Sequence, residues 1–360
     1  MEGDNNNSKI RYVWLDIARG VCILLMVICH ACASSNQRWG SFNGKTGVFF
    51  LIFFFVSAGY CFNGKRNFGE YARVQIKKCL MPYLIFSVFY LGLMYHRNAI
   101  PGNDVVTKLI NAAASLVWGL SNRFTIGPVQ TIGMGPMWFM VVFFLSTIMY
   151  KLLGNRRYSG PIIVMLAIVA SLSQMWVVLP FTVQDACIGC MFIFIGNISK
   201  KKLTFVIDWL HKTSLIKLLM IAIVTTVLFS YSVGICYNLG RHFSGRFLDL
   251  GSNSYSFSSL PASLLGCVVV VIWSIFIERT QVIDTFFALC GKESFMILIL
   301  HGIDISMVRN WGERDLYFMA FTLLGYPLCV YFYRRWQQNS QIKELLEKFL
   351  LRKRDLKEKA

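Results

Sequence analysis

The chain has 360 residues, of which 56% are hydrophobic and only 15% charged, with a mean hydropathy of +0.54. Soluble domains carry about a quarter charged residues, so this composition excludes a soluble globular protein. The 36 basic against 18 acidic residues give a formal charge of +18, which in so apolar a chain reads as cytoplasmic-loop charge that sets topology, not as a nucleic-acid-binding surface.

Apolar runs of about 20 residues recur along the chain and predict an all-α polytopic membrane helix bundle. About ten transmembrane helices are expected, at 12–33, 46–63, 79–95, 133–152, 160–178, 183–199, 213–234, 259–277, 293–308 and 316–333. With both termini cytoplasmic, most Lys and Arg fall in the inner segments, as the positive-inside bias requires. No cleavable signal peptide is expected at the polar start MEGDNNNSKIR. Residues 1–333 form the membrane domain, and 334–360 form a charged cytoplasmic tail helix near anionic lipid.

The first span, RYVWLDIARGVCILLMVICHAC, carries Asp16, Arg19 and His30. At about 100° per residue, the step from Arg19 to His30 returns to nearly the same face about three turns on, and Asp16 joins the same stripe. Ionisable groups on an apolar helix are expensive in lipid, so the stripe is expected to face a polar interior and to mark a site. His30 is the strongest single candidate, because an imidazole near its reference pKa exchanges protons at neutral pH. Asp16 and Arg19 lie too far down the helix to touch it, and are expected at the cytoplasmic mouth of the same cavity.

The second span ends FFFVSAGYCFNGKR, where Ser57 and Gly59 are small enough for close helix packing. A basic stretch follows, with Lys65, Arg66, Arg73, Lys77 and Lys78 ahead of Pro82 and Tyr83. It suits inner-face anchoring and the phosphates of a nucleotide-like donor equally well. Residues 96–132, including DVVTKLINAAASLVWGL, are expected as an outer-face amphipathic segment that does not span.

Three later features stand out. GPMWF places Trp138 at an outer interface, where an aromatic belt is the ordinary reading. VLPFTVQDACIGC puts Asp185 near the outer start of a span, either as a helix cap or as a partner for acceptor hydroxyls. CGKESFMILILHGID buries His301 in the ninth span. The other histidines, His96, His211 and His242, are expected in solvated positions. The CxxC pairs at Cys29–Cys32 and Cys187–Cys190 lack the further ligands of a zinc site, and no metal is expected.

At these residues the chain resembles the integral-membrane acyltransferase-3 family. The resemblance rests on five elements in order. They are Arg11, Leu15-Asp16, Arg19-Gly20 and His30; FFFVSAGY; KKCLMPY; GPMWF; and GKES followed by an apolar run ending at His301. GPMWF with LPFTVQDA looks most like the fucose 4-O-acetylase-like branch.

The family implies a ten-helix core that moves an acyl group, usually acetyl, from cytosolic acetyl-CoA to a carbohydrate hydroxyl. Carried over, His30 is the catalytic residue, as general base or transient acyl carrier, and Arg19 with Asp16 shapes the donor site. By position alone, Arg73, Lys77 and Lys78 are candidates for the donor's phosphates, with Ser57 a further donor-side candidate, and Asp185, Trp138 and His301 are candidates on the acceptor side. The expected setting is the inner membrane of a bacterium, with a surface polysaccharide or lipid-linked glycan precursor as partner and the oligomeric state open. A transporter or flippase for a sugar, glycolipid or acylated molecule is the alternative, since buried ionisable residues mark transport paths too. The absence of an inverted repeat weighs against it.

Overall fold

A computed structural model describes residues 12–32, 37–154, 158–174, 176–242, 259–308, 325–329 and 331. Within these, the side chains at 30–32, 37–46, 48, 237–242 and 303–308 lie outside the description. The expected tail helix at 334–360 and most of the expected last span lie outside it as well.

Helices form where the apolar runs predict them. In chain order they are α1 (Val13–Cys32), α2 (Gln37–Tyr60), α3 (Phe68–Gln75), α4 (Met81–His96), α5 (Val105–Trp118), α6 (Trp138–Leu153) and α7 (Ser159–Ser173). Then come α8 (Val183–Ile198), α9 (Lys200–Lys212), α10 (Leu215–His242), α11 (Leu260–Thr280), α12 (Asp284–Lys292) and α13 (Ser294–Val308). Among the described residues, five helical stretches are long and apolar enough to cross a membrane: Phe68–His96, Gly135–Leu153, Pro180–Ile198, Leu215–Cys236 and Leu260–Thr280. The pair α12 and α13, bent by 71°, makes a sixth if read as one broken span. Helix α3 joins α4 through a π-turn at Ile76–Leu80, so the basic stretch and the span behind it form one continuous rod.

The segment expected as a single amphipathic stretch at 96–132 is a helix followed by a two-stranded hairpin. Helix α5 starts at Asp104, whose carboxylate accepts from the Thr107 backbone N–H (2.9 Å) and from the Thr107 hydroxyl (2.6 Å). These bonds hold the Asp104 carboxyl below the usual carboxylate range. The helix ends at Gly119, whose φ of 62° favours glycine. Asn111 donates to the Pro101 carbonyl, and Tyr83 donates to the Leu116 carbonyl at 2.7 Å. Tyr83 stands thirteen residues before His96, about 20 Å along the helix, so α5 doubles back along α4 by its full length.

Strands β1 (Phe124–Ile126) and β2 (Val129–Thr131) then pair antiparallel, with Thr125 opposite Gln130. Asn111 and Ser115 receive the hairpin's backbone N–H groups from Gln130 and Ile132. Buried polar side chains of α5 thereby supply the bonds that an irregular segment would lack in an apolar setting.

Two reciprocal glycine pairs set the bundle around the site. A Cβ on Gly20 of α1 would collide with the Phe287 carbonyl of α12, and one on Gly291 with the Asp16 carbonyl of α1. Likewise Gly59 of α2 lies against the Ile193 carbonyl of α8, and Gly196 of α8 against the Val56 carbonyl of α2. Small residues at such crossings let backbones touch, which is how helices gain packing energy where lipid removes the hydrophobic drive.

Candidate active site

A cavity of about 1130 Å³ opens where the first half of α1, the end of α2, α3 with its π-turn and the α12–α13 elbow converge. Its wall carries Arg19, Lys65, Arg66, Lys78, Lys200 and Lys292, and among the described residues no acidic side chain lines it. The 71° break at Glu293 is what turns Lys292 and Ser294 onto the wall, because a straight helix would separate their faces.

Arg19 and Ser57 meet on this wall. Arg19 Nε donates to Ser57 Oγ at 3.2 Å, and Ser57 Oγ donates in turn to the Phe54 carbonyl at 2.9 Å. The guanidinium is therefore anchored through Nε, and a second nitrogen stands 4.0 Å from Cys61 Sγ. The mouth is braced by aromatics. Lys151 donates to the Gly64 carbonyl at 2.7 Å and lies over the rings of Phe62 and Tyr71. Phe62 meets Tyr150 edge-on at 4.8 Å, and Tyr150 accepts from Asn197. Lys200 stands over the ring of Tyr60, whose hydroxyl pairs with Thr204.

Beyond Arg19 the space narrows. A slot of only about 10 Å³ is lined by Ile23, Met26, Leu51, Phe54, Phe139, Ser294, Phe295 and Leu298. Phe54, Ser294 and Phe295 belong to both spaces. Ile23 and Met26 follow Arg19 at spacings of four and three residues, so they continue its face of α1 towards the turn that bears His30.

The structure joins some of the expected site residues and separates others. Arg19, Ser57 and Lys78 share the cavity wall. Arg73 and Lys77 are exposed on the same stretch but turn away from it. Asp16 is buried at 8% exposure, and its backbone carbonyl packs against Gly291 on the α12 side of α1, off the cavity wall. His30 stands near the end of α1, and its side chain lies outside the described residues.

Trp138 is 7% exposed at the start of α6, so it is a packed residue and not part of an open aromatic belt. His301 is buried in α13 with its ring 6.2 Å from that of Tyr326. Asp185 accepts from Gln174 at 3.1 Å and lines a separate, smaller cavity. Sequence reasoning missed Lys200 and Lys292 as wall residues. Lys292 lies within the GKES element, which was a usable signal; Lys200 sits in an SKKK run that reads equally well as topology charge. Among the described residues no group of three His, Cys, Asp or Glu side chains is placed to hold a metal ion.

A family model described as an acyltransferase domain matches residues 12–334. The chain belongs to the acyltransferase-3 family. No curated protein and no solved structure matches it. The basic cavity exceeds the usual 300–1,000 Å³ of small-ligand pockets.

Proposed function

We propose that this acyltransferase moves an acetyl group from cytosolic acetyl-CoA to a hydroxyl of a carbohydrate, either a surface polysaccharide or a lipid-linked glycan precursor. In this reading the chain has ten spans, both termini lie in the cytoplasm, and the protein sits in a bacterial inner membrane. The likeness of GPMWF and LPFTVQDA to the fucose 4-O-acetylase-like branch is part of the same proposal.

The observation that carries it is the cavity whose wall, among the described residues, holds six cations and no acid, and which narrows past the Arg19–Ser57 pair into an apolar slot. CoA bears a diphosphate and a further phosphate, and Lys65, Arg66, Lys78, Lys200 and Lys292 are suited to bind them by charge-assisted hydrogen bonds. Phe62, Tyr71 and Phe143 offer the uncharged arm a surface. Arg19 and Ser57 stand where the donor's thioester end would enter the slot.

His30 takes the proton of the acceptor hydroxyl. The hydroxyl oxygen bonds to the acetyl carbonyl carbon, the carbon–sulfur bond breaks, and CoA leaves as a thiolate that recovers the proton from His30. In the acyl-carrier variant a nitrogen of His30 makes the first bond to carbon, and the acceptor hydroxyl displaces it.

Membranes from cells expressing the wild-type chain or His30→Ala, incubated with radiolabelled acetyl-CoA, test this directly. Label is expected in a carbohydrate fraction with wild type and not with His30→Ala, at equal amounts of inserted protein. Transfer at the wild-type rate by His30→Ala sinks the mechanism. Solute flux with no CoA release from wild type moves the assignment to the transporter.

A further inference from the structure

A second cavity of about 250 Å³ lies between the residues that follow α5 and the connection from α7 to α8. Its wall includes Asn122, Arg123, Phe124, Gln174, Gln184 and Asp185. It is remote from the basic cavity: Asp185 is in the first turn of α8, whereas Gly196, which packs on α2 near Ser57, is eleven residues on, about 16 Å along the helix. The two spaces therefore open towards opposite ends of the bundle.

The chemistry of the two walls is also opposite. Among the described residues, the larger carries only positive charge, whereas the smaller has one carboxylate, one guanidinium, side-chain amides, the hydroxyls of Ser121 and Thr182, and one aromatic ring. An anion would meet Asp185 and a cation would meet Arg123. A neutral ligand whose hydroxyls both donate and accept can pair with both charged groups and with the Asn122 amide.

The polar groups are held in place. Gln184 Nε2 donates to Ser173 Oγ (2.9 Å) and to the Val177 carbonyl (2.8 Å), and its Oε1 accepts from the Leu179 N–H (3.0 Å). Gln174 Nε2 donates to Asp185 Oδ1. Thr182, Gln184 and Asp185 are all buried. Phe181 and Thr182 adopt consecutive left-handed conformations with φ of 57° and 48°. Such strained backbone is unfavourable outside glycine and collects at ligand sites.

We infer that this cavity binds one sugar unit of the acceptor, with the Asp185 carboxylate, the Asn122 amide and the Arg123 guanidinium reading hydroxyls and Phe124 lying against the ring. The inference rests on the proposed carbohydrate acceptor and gives that acceptor a place. The shared chemistry is a hydroxylated sugar ring, whether on a free glycan or on a lipid-linked one.

The test is saturation-transfer NMR on the full-length chain in nanodiscs, with methyl glycosides of glucose, galactose, mannose, fucose, rhamnose and N-acetylglucosamine as probes. At least one is expected to show saturation that falls at least tenfold in Asp185→Asn, a change that keeps the Gln174 contact, and in Asn122→Ala on the exposed loop. The octyl glycoside of the same sugar separates the sources: stronger saturation of the sugar ring than with the methyl glycoside points to a lipid-linked acceptor, and equal saturation to a free glycan.

Saturation that persists in both variants, or none with any probe, overturns the inference. Release of CoA from acetyl-CoA by the wild-type chain is scored separately. Asp185-dependent glycoside binding without CoA release would leave this site standing while the transferase reading fails. CoA release with no such binding would do the reverse.

Discussion

Arg19 Nε and Ser57 Oγ stand 3.2 Å apart, and this one bond ties α1 to α2 on the wall of the basic cavity, across 38 residues of chain. It fixes a planar cation where the cavity narrows, and hydrogen bonds to charged groups contribute about 1.5–3 kcal/mol. Arg19→Ala is expected to reduce CoA release from acetyl-CoA by about 100-fold or more. Ser57→Ala leaves the cation but frees it, so its expected effect is about a tenfold rise in the KM for acetyl-CoA. Initial-rate kinetics in native membranes check both, and a Ser57→Ala enzyme with unchanged KM would mean that the bond does not position the donor.

Lys77 and Lys78 are neighbours, both exposed, yet only Lys78 lines the cavity. Lys78→Glu is expected to raise the KM for acetyl-CoA at least tenfold, with a weaker dependence on salt than the wild type shows. Lys77→Glu should change it less than twofold. Equal effects from the two would argue that bulk positive charge at this face, and not the wall, recruits the donor.

The slot between Arg19 and the end of α1 holds about 10 Å³, about the room of one water molecule, so its walls must part for any acyl group and their bulk should set the length admitted. Met26→Ala and Phe139→Ala each remove wall atoms and are expected to admit propionyl- and butyryl-CoA while acetyl transfer falls. A chain-length profile of CoA release reads this out. A profile unchanged from wild type in both variants would remove the slot from the acyl path.

Gly20 and Gly291 face each other's backbones, so side chains there push α1 from α12. Gly20→Ala and Gly291→Ala are expected to lower the detergent melting temperature, with a cost of about 1–3 kcal/mol or more from overpacking. Gly92→Ala is the control, since nothing lies within 4 Å of its Cβ position. A melting temperature for Gly20→Ala equal to that of Gly92→Ala would refute the close approach.

Part of the cavity wall is built from residues that already stand out in the sequence. Arg19 is a charge in an apolar span and FFFVSAGY marks Ser57 as a small residue suited to close helix packing; the fold brings the two together on the wall. Gly59 read as a packing residue and is one. What sequence reasoning could not do was sort equivalent lysines. Arg73, Lys77 and Lys78 carry the same charge within six positions, and only the direction of each on the α3–π-turn rod decides which reaches the cavity. Asp16 shares a stripe with Arg19 on a helical wheel, yet α12 covers that part of α1 through Gly20 and Gly291.

The sequence by itself determined that this chain is a helical membrane protein, roughly where its helices run, and which ionisable residues lie within them. Those follow from local cost: hydrocarbon tolerates backbone only in self-satisfied form, and it tolerates charge only where something answers it. The tertiary structure alone decided that Lys200 and Lys292 join Arg19 around one cavity, that α5 turns back along α4, and that Asp185 belongs to a second polar pocket far from the first. Each of these depends on which helix meets which, and on a 71° bend at one residue. Such contacts depend on how distant surfaces fit together, which periodicity within a single segment does not encode.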